Sequence, residues 1–418
     1  MNESLPSIIL KDPAISFDNT EYAFAYKSSQ ELIRANFLFS SMGQPWLVRL
    51  GLKLMPFVIK MNIPFTKSLI RQTIFRQFVG GETLEQTATI ADKLGKYKVQ
   101  VILDYGVEGG DDGEHGYDHA TDEFINVINY AATQSNIPFI SIKVTGIVRF
   151  GLLEKIDAAM HDSMGPLMKR YHIIIQSLSA EEKEEWNRAV SRLFKICETA
   201  DTKKVGVLVD AEETWIQDPV DALTILMMDK YNKDKVVVYN TIQLYRHDRL
   251  VFLKDSYAAA LERNFILGAK LVRGAYMEKE RKRAVEMNYP SPIQPDKAAT
   301  DIDYNTALEF CITHLDHIAV IVASHNEFSN LYATELLDQQ NLSHHHPHIH
   351  FSQLYGMSDN ITFNLAKAGC SVSKYLPFGP IADVIPYLMR RAQENSSAVG
   401  QTGRELGLIK KELRRRKG

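Results

Sequence analysis

A chain of 418 residues, 45% hydrophobic and 24% charged, carries enough apolar side chain for a large packed core, and one large domain with an appendage is the first expectation. Its formal charge of −3 offers no general attraction to polyanions, which excludes nucleic acid as a partner short of a local basic patch. The three cysteines, Cys197, Cys311 and Cys370, lack CxxC spacing, so neither a disulfide framework nor a thiolate metal site is expected, and a reducing cytoplasm fits.

In chain order, Met1 to Pro13 contains Glu3, Lys11 and Asp12 and no long apolar core, so it reads as neither a signal nor a transit peptide. Residues 1–97 form an N-terminal helical region, judged from apolar spacing and scarce β-branched alternation; Pro45, Pro56 and Pro64 punctuate it. Within it, Trp46 to Phe65 is apolar but interrupted by Arg49, Lys53 and Lys60. That is a basic amphipathic helix or helix pair, either docked on the body with snorkelling cations or lying at a membrane surface. No uncharged run reaches the roughly 20 residues of a spanning helix.

From Val99 onward, short β-rich runs alternate with longer helical patterns, the signature of parallel βα units. Eight runs stand out: Val99–Asp104, Phe139–Val144, Val205–Asp210, Val236–Gln243, Ile266–Val272, Ile318–Ser324, Ile349–Leu354 and Val372–Leu376. Each is nearly continuous in apolar residues, as strands buried on both faces are. Eight such strands close most simply into a (β/α)8 barrel over residues 98–396, followed by a basic tail over 397–418 that carries Lys410, Lys411 and Arg414 to Arg416 as a solvated helix end. A doubly wound open sheet is the alternative. Against it, no GxGxxG follows the first strand, and the loop Gly106–Gly116 holds Glu108, Asp111, Asp112 and Glu114, which would repel a pyrophosphate.

A barrel places its site at the C-terminal strand ends. Those ends carry Lys143, Asp210, Gln243, Lys270, Arg273, His325, Asn326 and Tyr375, a cationic group with one well-placed carboxylate. The mixture suits a small anionic substrate and a polar cofactor head. It does not suit a metal, since His325 is the lone histidine among these ends and the run His344–His348 reads as a surface loop. After the last strand, Arg390 and Arg391 lie on a helix whose face can close the barrel mouth, with Arg390 spaced to pair with Glu394. Two adjacent guanidiniums can grip a carboxylate in planar, bidentate fashion. The bland reading of Lys270 and Arg273 is a network with Asp210, Glu212 or Glu213 that holds the rim together.

Lys270-Leu271-Val272-Arg273-Gly274-Ala275-Tyr276, Val209-Asp210-Ala211-Glu212-Glu213 and the pairing of Tyr375…Gly379 with Arg390-Arg391…Glu394-Asn395 resemble the proline dehydrogenase (proline oxidase) family. Ser141-Ile142-Lys143, Ile242-Gln243-Leu244-Tyr245 and Ser324-His325-Asn326 occur in the same order, so the resemblance covers roughly residues 99 to 396. It implies a distorted TIM-like barrel, non-covalent FAD, and oxidation of L-proline to Δ1-pyrroline-5-carboxylate with electrons passed to membrane quinone. By resemblance, Lys143, Arg390 and Arg391 hold the substrate carboxylate, Asp210 supports the pocket, and Tyr375 packs on the ring. Glu108 matches more loosely a glutamate that closes the site on Arg390. Ala211, Gln243, Lys270, Arg273, Gly274, Ala275, Ser324 and His325 fall on flavin-contacting positions.

One departure stands out: many bacterial members have arginine and lysine where this chain has Lys270 and Arg273, the swapped form of eukaryotic members. With a quinone acceptor implied, a cytoplasmic protein with a peripheral membrane contact is expected. The rival within the family is hydroxyproline dehydrogenase, disfavoured by the bulk of Tyr375; outside it, a lyase or aldolase could use Lys143 or Lys270 as a Schiff-base amine, and a non-catalytic binding barrel is a third reading.

Overall fold

The structure, a computed structural model, describes residues 15–60, 66–106, 113–397 and 399–418. Eight strands, β1 (Gln100–Tyr105), β2 (Phe139–Ile142), β3 (Gly206–Val209), β4 (Val238–Gln243), β5 (Leu267–Val272), β6 (Ile318–Ala323), β7 (Ile349–Leu354) and β8 (Val372–Phe378), form one closed parallel barrel in sequence order. Closure is direct: Ile102 of β1 registers with Phe139 of β2 on one side and with Tyr375 of β8 on the other. The barrel rather than the open sheet is therefore the fold.

Strand parity sets the interior. Ile102, Leu208, Tyr239, Ala319 and Ile321 point inward as an apolar plug, packed by Phe139 and Tyr375. The next inward positions along β1, β4 and β5, and those just past the ends of β2 and β3, are Asp104, Gln243, Lys270, Lys143 and Asp210. The continuous apolar runs thus hide a sharp change of polarity one pleat above the plug. Outward-facing residues such as Val101, Leu103, Ile140, Val207 and Val320 pack on the surrounding helices in the main core.

A second apolar cluster joins the two chain ends. Helices α1 (Thr20–Ala23), α2 (Ser29–Met42) and α3 (Pro45–Lys60) bury Ala23, Leu32, Phe39 and Val48 with Leu388, from the helix Ile381–Ser397, and with Leu408 and Ile409, from the helix Val399–Arg415. Ser28 opens α2 with a full capping box, its hydroxyl accepting from Glu31 N–H and the Glu31 carboxylate accepting from Ser28 N–H.

The C-terminal helix is more than a solvated end. Lys410, Lys411 and Arg414 are exposed, but Glu405, Leu408, Ile409 and Glu412 are buried. Arg416 donates to the carbonyls of Phe24 and Lys27, each at 2.8 Å, and so ties the end of the C-terminal helix to the turn that follows α1. Lys27 and Lys374 of β8 both reach Asp359, at 2.8 and 3.0 Å, while Tyr26 Oη donates to the same carboxylate at 2.9 Å. These lysines outweigh the burial of Asp359 and hold its carboxyl down at about 2.

Candidate active site

The C-terminal rim of the barrel opens into a cavity of about 700 Å³, within the size range of small-molecule and cofactor sites. Asp104, Lys143, Asp210, Ala211, Gln243, Lys270, Arg273, Gly274, Ala275, Ser324, His325, Tyr375, Arg390 and Arg391 all line it. Every site residue expected from the sequence is therefore gathered at one cavity, apart from Glu108, which lies outside the described residues.

Asp210, just past β3, is the hub. Its carboxylate accepts from Lys270 and, at 2.7 Å, from Tyr375 Oη, and Lys143 Nζ lies at 3.9 Å. Burial alone would raise this carboxyl, but Lys270 and Lys143 hold it below the ordinary carboxylate range. Burial likewise opposes a charge on Lys143, yet Asp104 and Asp210 hold its ammonium well above the usual lysine range. Lys270 is thus ion-paired with Asp210 as the bland reading allowed, while it also faces the cavity and lies 5.5 Å from the Tyr375 ring centroid. Arg273 takes other partners: Asp301 at 2.7 Å, Ser324 Oγ at 2.8 Å and Ser329 Oγ at 3.0 Å, with its guanidinium over the Tyr304 ring. Glu212 instead binds the Thr145 hydroxyl, at 2.8 Å, and Glu213 pairs with Lys279.

On the helix Ile381–Ser397, Arg391 Nη2 pairs with Glu394 Oε1 at 2.6 Å. Residues three and four before Glu394 lie on one helical face, so this pair stands beside the Arg390 spacing read from the sequence rather than in place of it. Arg390 lies 5.9 Å from the Tyr276 ring centroid. Buried Arg391 Nε, Tyr387 Oη and Gln243 Oε1 find no hydrogen-bond partner among the described residues. All three residues line the cavity, so the wall presents unsatisfied donors and an acceptor to whatever occupies it.

In the turn after β5, Gly274 has φ +128°, and a Cβ there would fall 2.4 Å from the Tyr245 ring. The β5 turn can approach a ligand only because that position is glycine. His325 is half-buried near Lys374, Arg391 and Arg273, and desolvation first, then those charges, lower it to about 3, so the imidazole is neutral.

Sequence reasoning assigned no role to Asp104, Tyr276 or Tyr387, all of which line the cavity. Asp104 was open to detection as a lone carboxylate closing the apolar run Val101–Leu103; it lies 3.4 Å from Lys143, and burial raises its carboxyl. Among the described residues, no group of three His, Cys, Asp or Glu side chains is placed to hold a metal. His344 of the histidine run pairs instead with Asp338 at 2.8 Å.

A closed parallel barrel with a cationic, partly unsatisfied cavity at its C-terminal rim defines a (β/α)8-barrel enzyme acting on a small molecule. The family model described as "Proline dehydrogenase" matches residues 87–404. The chain belongs to the proline dehydrogenase family, and with it to the oxidoreductases. It is 33% identical over 377 residues to "Proline dehydrogenase 1, mitochondrial" of Dictyostelium discoideum, which covers 83% of this chain and 65% of that protein. It is 30% identical over 422 residues to the "Hydroxyproline dehydrogenase" of Xenopus laevis, which covers 96% of this chain and 90% of that one. Among solved structures it resembles proline utilization A from Bdellovibrio bacteriovorus with a TM-score of 0.68 at 18% identity, over 90% of this chain and 41% of that chain. At that identity the likeness bears on the fold.

Proposed function

We propose that this protein oxidises L-proline to Δ1-pyrroline-5-carboxylate using non-covalent FAD and passes the electrons to a membrane quinone. The observation that carries the reading is the convergence of Lys143, Arg390 and Arg391 on the cavity that also holds the Asp210–Tyr375 pair. The flavin fits the donor set: Gln243 Oε1 is a buried acceptor without a hydrogen-bond partner among the described residues, Gly274 keeps the rim low, and Lys270 and Arg273 supply positive charge. Ala211, Ala275, Ser324 and His325 complete the wall that would hold it.

In this reading the three cations fix the substrate carboxylate, and Tyr375, held by Asp210, packs against the ring. Positioning of this kind removes several kcal/mol of orientational cost. The ring nitrogen must be neutral before the adjacent C–H bond can release a hydride, and a cationic pocket favours the neutral amine. The bound flavin supplies the hydride acceptor, and Lys270 and Arg273 favour the negative charge that arrives with the electrons. Lys143, with its ammonium held protonated, is a poor Schiff-base nucleophile, which weighs against the lyase reading.

The acceptor's solubility in lipid requires a meeting place. Among the described residues no helix is long and apolar enough to cross a membrane. On α3, Trp46 is 60% and Leu50 48% exposed, beside exposed Arg49 and Lys53, a composition suited to an anionic interface. The side chains of Leu54, Phe57 and Lys60, expected on the same face, lie outside the described residues. The buried, unpaired thiols support a reducing compartment, and a cytoplasmic, membrane-peripheral placement is the reading to test by fractionation.

Anaerobic addition of proline to the purified protein should bleach its flavin absorbance. A colourless protein that borohydride traps on a carbonyl substrate would favour the lyase instead. The likeness to the Xenopus enzyme makes hydroxyproline the second candidate, decided by the ratio of kcat/KM for the two substrates.

A further inference from the structure

Ser358 stands at the N-cap of the helix Asp359–Lys367 but makes no capping hydrogen bond, and it adopts φ +51°, ψ 44°. Serine rarely occupies that left-handed region, and at an N-cap its hydroxyl ordinarily accepts from the first-turn amides. Here the hydroxyl is diverted: Ser358 Oγ lies 2.9 Å from His325 Nδ1. The other ring nitrogen, Nε2, accepts the Leu354 N–H at 3.4 Å. In a neutral imidazole that acceptor leaves the proton on Nδ1, donated to Ser358 Oγ. Ser358 N–H in turn donates to Glu405 Oε2 at 3.0 Å, and Glu405 is 7% exposed. Glu405 belongs to the C-terminal helix, outside the eight βα units, yet it lines the cavity together with Ser358 and His325.

We infer that Glu405 is a positioning residue for His325: it holds Ser358 in the backbone conformation that turns the serine hydroxyl away from capping and onto His325 Nδ1, which fixes the plane of the imidazole on the cavity wall and so keeps Nε2 on the Leu354 N–H that sets the tautomer. The unused cap and the left-handed serine are local costs, of a kind that persists where the surroundings over-determine the conformation. His325 is one of the residues proposed to hold the flavin, so the consequence for cofactor binding rests on that reading.

The test uses the holoenzyme and three variants. Ser358→Gly removes the hydroxyl while tolerating the positive φ, Glu405→Leu removes the acceptor at similar volume, and Glu405→Gln keeps an acceptor oxygen. Ring ¹⁵N shifts of labelled histidine, with His325 assigned by its loss in His325→Gln, report the tautomer; flavin fluorescence on dilution reports affinity. Wild type and Glu405→Gln should hold the Nδ1–H tautomer, whereas Ser358→Gly and Glu405→Leu should mix in Nε2–H and weaken flavin binding by about tenfold, the scale of one lost buried hydrogen bond. An unmoved tautomer in Ser358→Gly and Glu405→Leu overturns the inference, even if affinity falls, because that pattern marks a merely structural role. Should Glu405→Leu fail to fold, Glu405→Asp, whose carboxylate is one methylene short of the Ser358 N–H, takes its place with the same expected result. If wild type proves to carry no flavin, the proposed function fails while the tautomer still judges this inference.

Discussion

Replacing Arg391 with Met keeps much of the side chain's apolar bulk and deletes its charge. The arginine side chain is 7% exposed and holds Glu394 through one nitrogen, while buried Nε has no hydrogen-bond partner among the described residues. A hydrogen bond to a charged group at such a site is worth roughly 1.5–3 kcal/mol, and at about 1.4 kcal/mol per decade the Michaelis constant for proline should rise between about tenfold and 150-fold. Stability should change little, because the Glu394 side chain is 38% exposed and water can replace its partner, leaving a cost near the surface-pair level of about 1 kcal/mol or less. Steady-state kinetics with a soluble dye, flavin-to-protein ratio and a thermal melt separate these terms. An unchanged Michaelis constant in both Arg391→Met and Arg390→Met, with flavin retained, would refute the carboxylate clamp.

Tyr375→Ser should weaken proline binding and shift the kcat/KM ratio toward hydroxyproline, since it empties space against the ring; a shift toward proline would undo the substrate assignment. Gly274→Ala should lose flavin on gel filtration, because the new Cβ would lie 2.4 Å from the Tyr245 ring at a φ of +128°; full flavin retention would contradict the close approach. Asp157, buried and beside Asp218, is pushed up from 3.8 to about 8. Its folded form binds more protons than the unfolded chain between those values, so it erodes stability as pH rises through that window. Asp157→Asn should accordingly gain on wild type in denaturant melts at pH 8 relative to pH 5, and a constant difference would count against the shift. Arg49→Glu/Lys53→Glu should abolish salt-sensitive co-sedimentation with anionic vesicles and quinone turnover while dye activity persists; a wild type that never sediments leaves α3 as a docked helix.

The strands were legible because parallel strands buried on both faces leave dense apolar runs, and β7 begins and ends where its run does. The rim residues followed from parity once the strand ends were in place. Asp104 escaped because its partner Lys143 is 39 residues away, a pairing made only when β2 is laid beside β1. The pair of Arg391 with Glu394 went unread because three- and four-residue spacings fall on the same helical face. The C-terminal helix was read from its exposed lysines and arginines, but its packing depends on Leu408 and Ile409 meeting the N-terminal helices nearly 400 positions earlier, as Arg416 does at Phe24. Local pattern holds no record of such meetings.

That last contact also bears on the order of assembly. The carbonyls of Phe24 and Lys27 cannot receive the Arg416 guanidinium until residues near 416 arrive, and β1 cannot be paired on both edges until β8 is made. On a ribosome the apolar faces of the N-terminal helices stay partly uncovered until the helix Val399–Arg415, roughly 350 residues downstream, has been made. Contacts of such sequence separation slow folding and lengthen the time for which apolar surface is open to aggregation.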